Sequence, residues 1–175
     1  LSPLIYKKVK RFINKSGYSA IRLSNFAIAN GFTYQYGINS NGEAKKIQFG
    51  GVIGSENQGI IASNIISGHY KDIKFTLFNP YLKGLYTIMK IELANEYPHI
   101  VLDSSSNNPF ISNIGHFFDN SARINLEGDF NSYFKVYSKA PASDTLRVLS
   151  PDMMGLMIDM GKKYDIEIVG NSLHI

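Results

Sequence analysis

The sequence predicts an α+β protein: a mainly antiparallel sheet with about three helices packed against it, in a single domain. Three observations carry that expectation. The chain has 175 residues and 44% hydrophobic content, enough for a core of its own. From Ile60 to Ser104 apolar and polar residues alternate between short polar breaks, as in a meander of antiparallel strands. Helical spacing is confined to a few segments outside that stretch.

The elements follow in chain order. Leu4, Ile5, Val9, Phe12 and Ile13 repeat at helical spacing, with Lys7, Lys8, Lys10, Arg11 and Lys15 filling much of the remainder. Ser2-Pro3 can start this helix and Gly17 can stop it. Two readings stand together: an amphipathic helix docked on the core, or a juxtamembrane basic helix facing anionic lipid. Residues 1–17 are therefore set apart from a single α+β domain over 18–175.

Ser24 to Asn30 reads as a second short helix, capped by Ser24 and ended by Gly31. "TYQYG" and "KKIQFGGVIG" read as strands, with turns at "SNGE" and "SENQG". Ile65-Ile66 precede a turn at Lys71-Asp72, after which Ile73, Phe75 and Leu77 alternate until Asn79-Pro80 breaks the strand. Tyr86 to Leu93 gives a third strand and "HIVLDS" a separate one, followed by the polar loop "SSSNN".

"LEGDFNSYFKVYS" predicts a helical turn at "DFNSYF" that passes into a strand at "FKVYS". Phe130, Phe134 and Val136 are its core anchors and Glu127-Gly128-Asp129 its acidic cap. "DTLRVLS" reads as a strand. Pro151 starts a helix carrying Met153, Met154, Leu156, Met157 and Met160; its four methionines at helical spacing read as core, set against an adaptable binding surface. The chain closes in a hairpin turning at Gly170-Asn171.

Composition excludes several chemistries. There is no cysteine, hence no disulfide, thiolate nucleophile or thiolate zinc site. Net charge is +4, but five basic residues fall in the first fifteen; the other 160 residues hold 13 basic and 14 acidic side chains. The bulk of the chain therefore has no nucleic-acid footprint, although Tyr18, Tyr34, Tyr36, Tyr70, Tyr133 and Tyr137 offer stacking surfaces. No apolar run reaches the roughly 18 residues that span a bilayer. The chain begins at Leu1, not Met, and reads as a processed chain or a piece of a longer one.

The four histidines, His69, His99, His116 and His174, are widely spaced. His116 and Asp119 in "GHFFD" form the nearest approach to a metal or base–orienter pair, set against a solvated or capping role. "FGGVIGSENQG" fits neither G-x-G-x-x-G nor G-x-x-x-x-G-K-[ST], so Gly50, Gly51, Gly54 and Gly59 read as bends. Glu127 and Asp129 are too near in sequence to sit across a sugar. No catalytic residue and no cofactor is expected.

"FAIANGFTYQY", "NIISGHYKDIKFTLFNPY", "YTIMKIEL" with "YPHIVL", and "EGDFNSYFKVYSKAPASDTLRVLSPDMMGLMIDM…IEIVGNSLHI" occur in that order. Together they resemble an uncharacterised family of bacterial membrane-tethered proteins with an F-x3-F-x-V element, an L-[ST]-P-x-M helix start and a closing hairpin. The resemblance covers most of Phe26 to Ile175; Phe32 stands where that family often has Trp, and Ser150 where it has Thr. It implies one or more transmembrane helices upstream, and it brings no activity or catalytic residue. Lys7 to Lys15 would then lie beside the bilayer, with a soluble, membrane-associated domain held on the cytoplasmic side.

The leading functional expectation is a non-enzymatic module that binds a protein or peptide partner on an exposed sheet edge or groove. One alternative is a small metal-dependent hydrolase using His116, Asp119 and Asp103. Another is an anionic-lipid-binding module acting through residues 1–15.

Overall fold

The structure, a computed structural model, describes residues 20–37, 42–48, 51, 59–80, 87–106, 118, 122–126 and 128–175. Among these are an eight-stranded antiparallel sheet and four helices, three of them seven residues or longer, the α+β class expected. The basic segment through Gly17, His116 and Asp119 lie outside the described residues. The chain divides into two compact units, Leu1–Phe49 with Asn57–Glu92 and Gly50–Glu56 with Leu93–Ile175.

In the first unit, helix α1 (Ala20–Ala29) precedes β1 (Thr33–Gln35), β2 (Lys46–Ile47), β3 (Ile60–Tyr70), β4 (Ile73–Pro80) and the start of β5 (Ile88–Ser104). β1 and β2 both pair β3, which pairs β4, which pairs Ile88–Ile91 of β5. α1 is already formed at Ala20, so Ser24 lies inside it and does not cap it. The reason is the buried stripe, Leu23 and Ala27, four apart and 3% and 0% exposed, which begins before Ser24. Gly31 ends the helix as expected, at φ +70° with its N–H on the Ile28 carbonyl.

Phe75 and Leu77 point to the buried face of β4, opposite Gly68 and Ile66. Phe32 packs edge-on against Phe75 at 4.9 Å. A Cβ at Gly68 would run into the Phe32 ring, so glycine is what lets the ring approach the sheet. The β3–β4 register slips between Ser63 and Ile66, where Asn64 takes φ +51° and its Oδ1 accepts the Tyr34 hydroxyl at 3.0 Å. Burial, then the neighbouring Tyr36, raise the Tyr34 pKa above the usual phenol value. Asn79-Pro80, expected to interrupt β4, are its last two residues, opposite Ser63 and Ala62.

In the second unit β5 continues to Ser104, followed by β6 (Arg123–Ile124), α2 (Phe130–Tyr133), β7 (Phe134–Ser138), α3 (Ala142–Val148), α4 (Pro151–Gly161) and β8 (Ile166–His174). The turn-into-strand at "DFNSYFKVYS" forms as read. Phe130, Phe134 and Val136 are 2%, 0% and 0% exposed, and the two rings stack at 5.0 Å. They pack with Ile100, Leu102, Leu126, Leu149, Met157, Ile166 and Ile168 in one core. Of the expected acidic cap, Asp129 occupies the N-cap position without a side-chain bond, and Glu127 lies outside the described residues. Asn131 instead ties down the entering chain, its Oδ1 accepting the Leu126 N–H at 3.2 Å and its amide donating to the Leu126 carbonyl.

"DTLRVLS" is helical, not extended. Its buried residues Thr145 and Leu149 are four apart, a helical period, and Asp144 and Arg147 sit at the ends that suit their charges. α4 starts where expected: the Ser150 Oγ accepts the Met153 N–H at 3.4 Å and Pro151 opens the first turn. Met157 is core and Met153 and Met154 flank it, while Leu156 is half exposed.

The closing segment bends back. Glu167 and His174 are seven residues apart in β8, roughly 23 Å if extended, yet Glu167 Oε2 lies 3.9 Å from His174 Nδ1. Gly170, at φ +55°, supplies the reversal that the hairpin reading located there.

Candidate functional site

The features of interest lie in the second unit and begin with β5. Two separate strands were expected at "YTIMKIEL" and "HIVLDS"; instead a single strand of 17 residues runs through both. The polar stretch "ANEYP" that suggested a break is its exposed middle. Leu93 and Tyr97 pack on the same core as Ile100 and Leu102. Side-chain alternation must therefore slip once between Tyr97 and Ile100, where Pro98 lies; a proline in a strand belongs at such a bulge or on an edge.

β7 pairs with Ile100–Ser104. β8 also pairs β5, and near its start Asp165 Oδ1 accepts the Ser104 N–H at 3.0 Å while Glu167 reaches His99. Ser138 is opposite Ile100, and because the strands are antiparallel the chain leaving Ser138 heads back along β5 toward Tyr97. It does not continue as a strand. The Ala140 N–H turns onto Ser138 Oγ at 3.1 Å, and α3 begins at Ala142.

Between α3 and this part of β5 lies a groove of about 450 Å³, lined by Glu96, Tyr97, Pro98, Asp144, Arg147 and Val148. Glu96, Asp144 and Arg147 are exposed; Tyr97, Pro98 and Val148 are half-buried. The groove thus has an apolar floor, two carboxylates and one guanidinium.

A second cluster is buried. Glu167, 0% exposed, has Oε1 2.6 Å from His99 Nε2, with the His174 ring on its other oxygen. Phe118 packs edge-on against His99 at 4.9 Å, and Lys139 Nζ lies 5.7 Å from the Phe118 ring centre. Gly51, at φ +94°, stands where any Cβ would overlap the Glu167 carboxylate. Two imidazoles and a carboxylate are metal-ligand types, but the direct His99–Glu167 contact leaves no space for an ion between them. Among the described residues no group of three or more such side chains is arranged to hold a metal ion. The arrangement brings the buried carboxyl of β8 onto His99 of β5, with the His174 ring beside it.

Of the residues proposed from sequence for a hydrolase, only Asp103 is described. It is 6% exposed and its carboxylate lies 3.6 Å from Lys135 Nζ on the neighbouring strand, a cross-strand ion pair. The sequence reading missed both the groove and the His99–Glu167–His174 cluster. Glu167 carried the one available signal: an acid between Ile166 and Ile168 in a strand that is otherwise apolar must find a partner if it is buried.

Among the described residues no helix is long and apolar enough to cross a membrane. No family model and no curated protein matches the sequence. The fold is similar to the crystal structure of the mycobacterial trehalose monomycolate transport factor A, TtfA, at 15% identity over 89% of this chain and 79% of that one, with a TM-score of 0.57. That likeness is one of fold.

Proposed function

We propose that this chain is a non-enzymatic, membrane-proximal module of a bacterial membrane-tethered protein, and that it binds a protein or peptide partner in the groove between β5 and α3. The observation that carries the reading is the groove of about 450 Å³ between β5 and α3, with an apolar floor and a charged rim. Apolar grooves of this kind with a few polar groups at the rim take segments of other chains. The similar fold of a transport factor is compatible with a role in transport. The test is a photo-crosslinking side chain at Arg147, with Leu156, half exposed on α4, as control. A discrete adduct in cells at 147 and not at 156 is expected; equal adducts at both, or none, would refute the reading.

The membrane part of the proposal rests on the charge of the first fifteen residues, which suits an anionic leaflet on the cytoplasmic side. Deleting residues 1–15 should abolish flotation of the protein with vesicles containing phosphatidylserine. Undiminished flotation would exclude this segment as the contact.

A further inference from the structure

Helix α1 turns an apolar, cationic face to solvent. We infer that this face docks on an anionic lipid surface, with Ile21 and Ile28 entering the headgroup layer; this rests on the membrane-proximal role proposed above and gives it a second contact.

α1 is held to its own unit by Leu23 and Ala27, 3% and 0% exposed, and packs on β1 and β3. At 100° per residue, Ile21 and Ile28 fall within about 20° of each other and about 120–140° away from the Leu23–Ala27 direction. They are 70% and 71% exposed, the two highest values among the large apolar side chains described. A lone exposed isoleucine is ordinary on a protein surface. Two on one line, roughly two helical turns apart with Asn25 between them, form an apolar ridge that takes no part in the core.

Charge names the surface that fits this ridge. Residues 1–42 contain Lys7, Lys8, Lys10, Arg11, Lys15 and Arg22 and no acidic residue; the first acid in the chain is Glu43. The other 133 residues hold 12 basic and 14 acidic side chains. α1 thus stands in the one long stretch of the chain that is cationic throughout, and Arg22 is exposed next to Ile21. Basic side chains draw an anionic leaflet close, and isoleucines at the same place bury apolar surface in it; the two effects together make interfacial binding.

Two other occupants fit less well. Protein partners are mostly anchored by aromatic or arginine side chains seated in fitted pockets, whereas the Ile21–Asn25–Ile28 line is a convex ridge without a ring. A second copy of this chain would bring two cationic segments together, and like charges facing each other across a contact oppose it. A lipid surface requires no fitted pocket, only apolar side chains and positive charge.

The experiment exploits the absence of tryptophan from the chain. The full chain carrying Ile28→Trp has a single such fluorophore, on the ridge. With vesicles of phosphatidylcholine containing about 30% phosphatidylserine its emission should shift to the blue, while Leu156→Trp, at the half-exposed position on α4, should not move. In flotation, Ile21→Gln/Ile28→Gln should keep the wild-type melting temperature and partition at least about tenfold more weakly. Undiminished flotation of that double variant, or Ile28→Trp emission that stays put while the protein floats, would overturn the inference and leave the membrane role resting on residues 1–15. Emission already blue before vesicles are added would place the ridge under another part of the chain or a second copy, and would overturn it too. So would an equal shift from Leu156→Trp. An equal Ile28→Trp shift on pure phosphatidylcholine would overturn the charge assignment. If the wild-type chain does not float at all, the membrane role itself fails, and this contact with it.

Discussion

Phe134 is the residue on which the second unit's core turns, and its removal gives a calculable loss. It is the last position of a helical turn and the first of β7, fully buried, with its ring stacked on Phe130 at 5.0 Å. Phe134→Ala deletes that ring. The transfer contribution for a wholly buried Phe side chain is about 1.5–3 kcal/mol. The stacked pair contributes about 0.5–1.5 kcal/mol more, and the cavity adds to both, for a total of about 3–5 kcal/mol. For a chain of this size each kcal/mol moves Tm by about 2–4 °C, so the variant should melt some 6–20 °C lower. Urea unfolding followed by far-UV circular dichroism, beside a thermal scan, measures both quantities. Leu156→Ala, at a position 50% exposed on α4, serves as control and should cost less than about 1 kcal/mol. A loss below about 1.5 kcal/mol at Phe134 would show that the site collapses freely or that the ring is not the anchor.

Gly51 and Gly128 both hold left-handed backbone, at φ +94° and +75°, but a Cβ meets the Glu167 carboxylate at Gly51 and nothing within 4 Å at Gly128. Gly128→Ala should therefore cost only the backbone strain, about 1–2 kcal/mol. Gly51→Ala should exceed it by about 1–3 kcal/mol; equal losses in urea would deny that Gly51 seals the carboxylate. The raised Tyr34 pKa gives an alkaline prediction. Below the ordinary phenol pKa of about 10 Tyr34 is neutral folded or unfolded, and its contribution is complete. As pH rises from there through the higher folded value the unfolded chain ionises first, so stability is lost across that window. Urea midpoints between pH 8 and 11 should fall less steeply for Tyr34→Phe than for wild type, and parallel curves would contradict the assignment.

How much of this was legible in the sequence depended on how local each cause is. β4, the Phe130–Ser138 turn and strand, and the Pro151 helix start were read correctly because period and proline act within a few residues. α3 was missed because Leu146, Val148 and Leu149 mimic a short apolar strand; only Thr145, a polar residue that turns out buried, completes the helical stripe. The single long β5 was missed because "ANEYP" carries the marks of a loop, yet the strand runs through it without a break. The Glu167 cluster draws on Gly51, His99, Phe118 and His174, which no spacing rule connects.

The two nonlocal features also differ in what they can do. Glu167 is closed off by Gly51 and both histidines, and His99 is exposed over only 24% of its side chain. Its carboxylate is taken up by His99 of β5, with the His174 ring beside it. The groove beside α3 is the reverse case: its Tyr97, Pro98 and Val148 floor is half-buried and its Glu96, Asp144 and Arg147 rim is exposed, so apolar surface there stays open to a partner rather than being taken up within the chain.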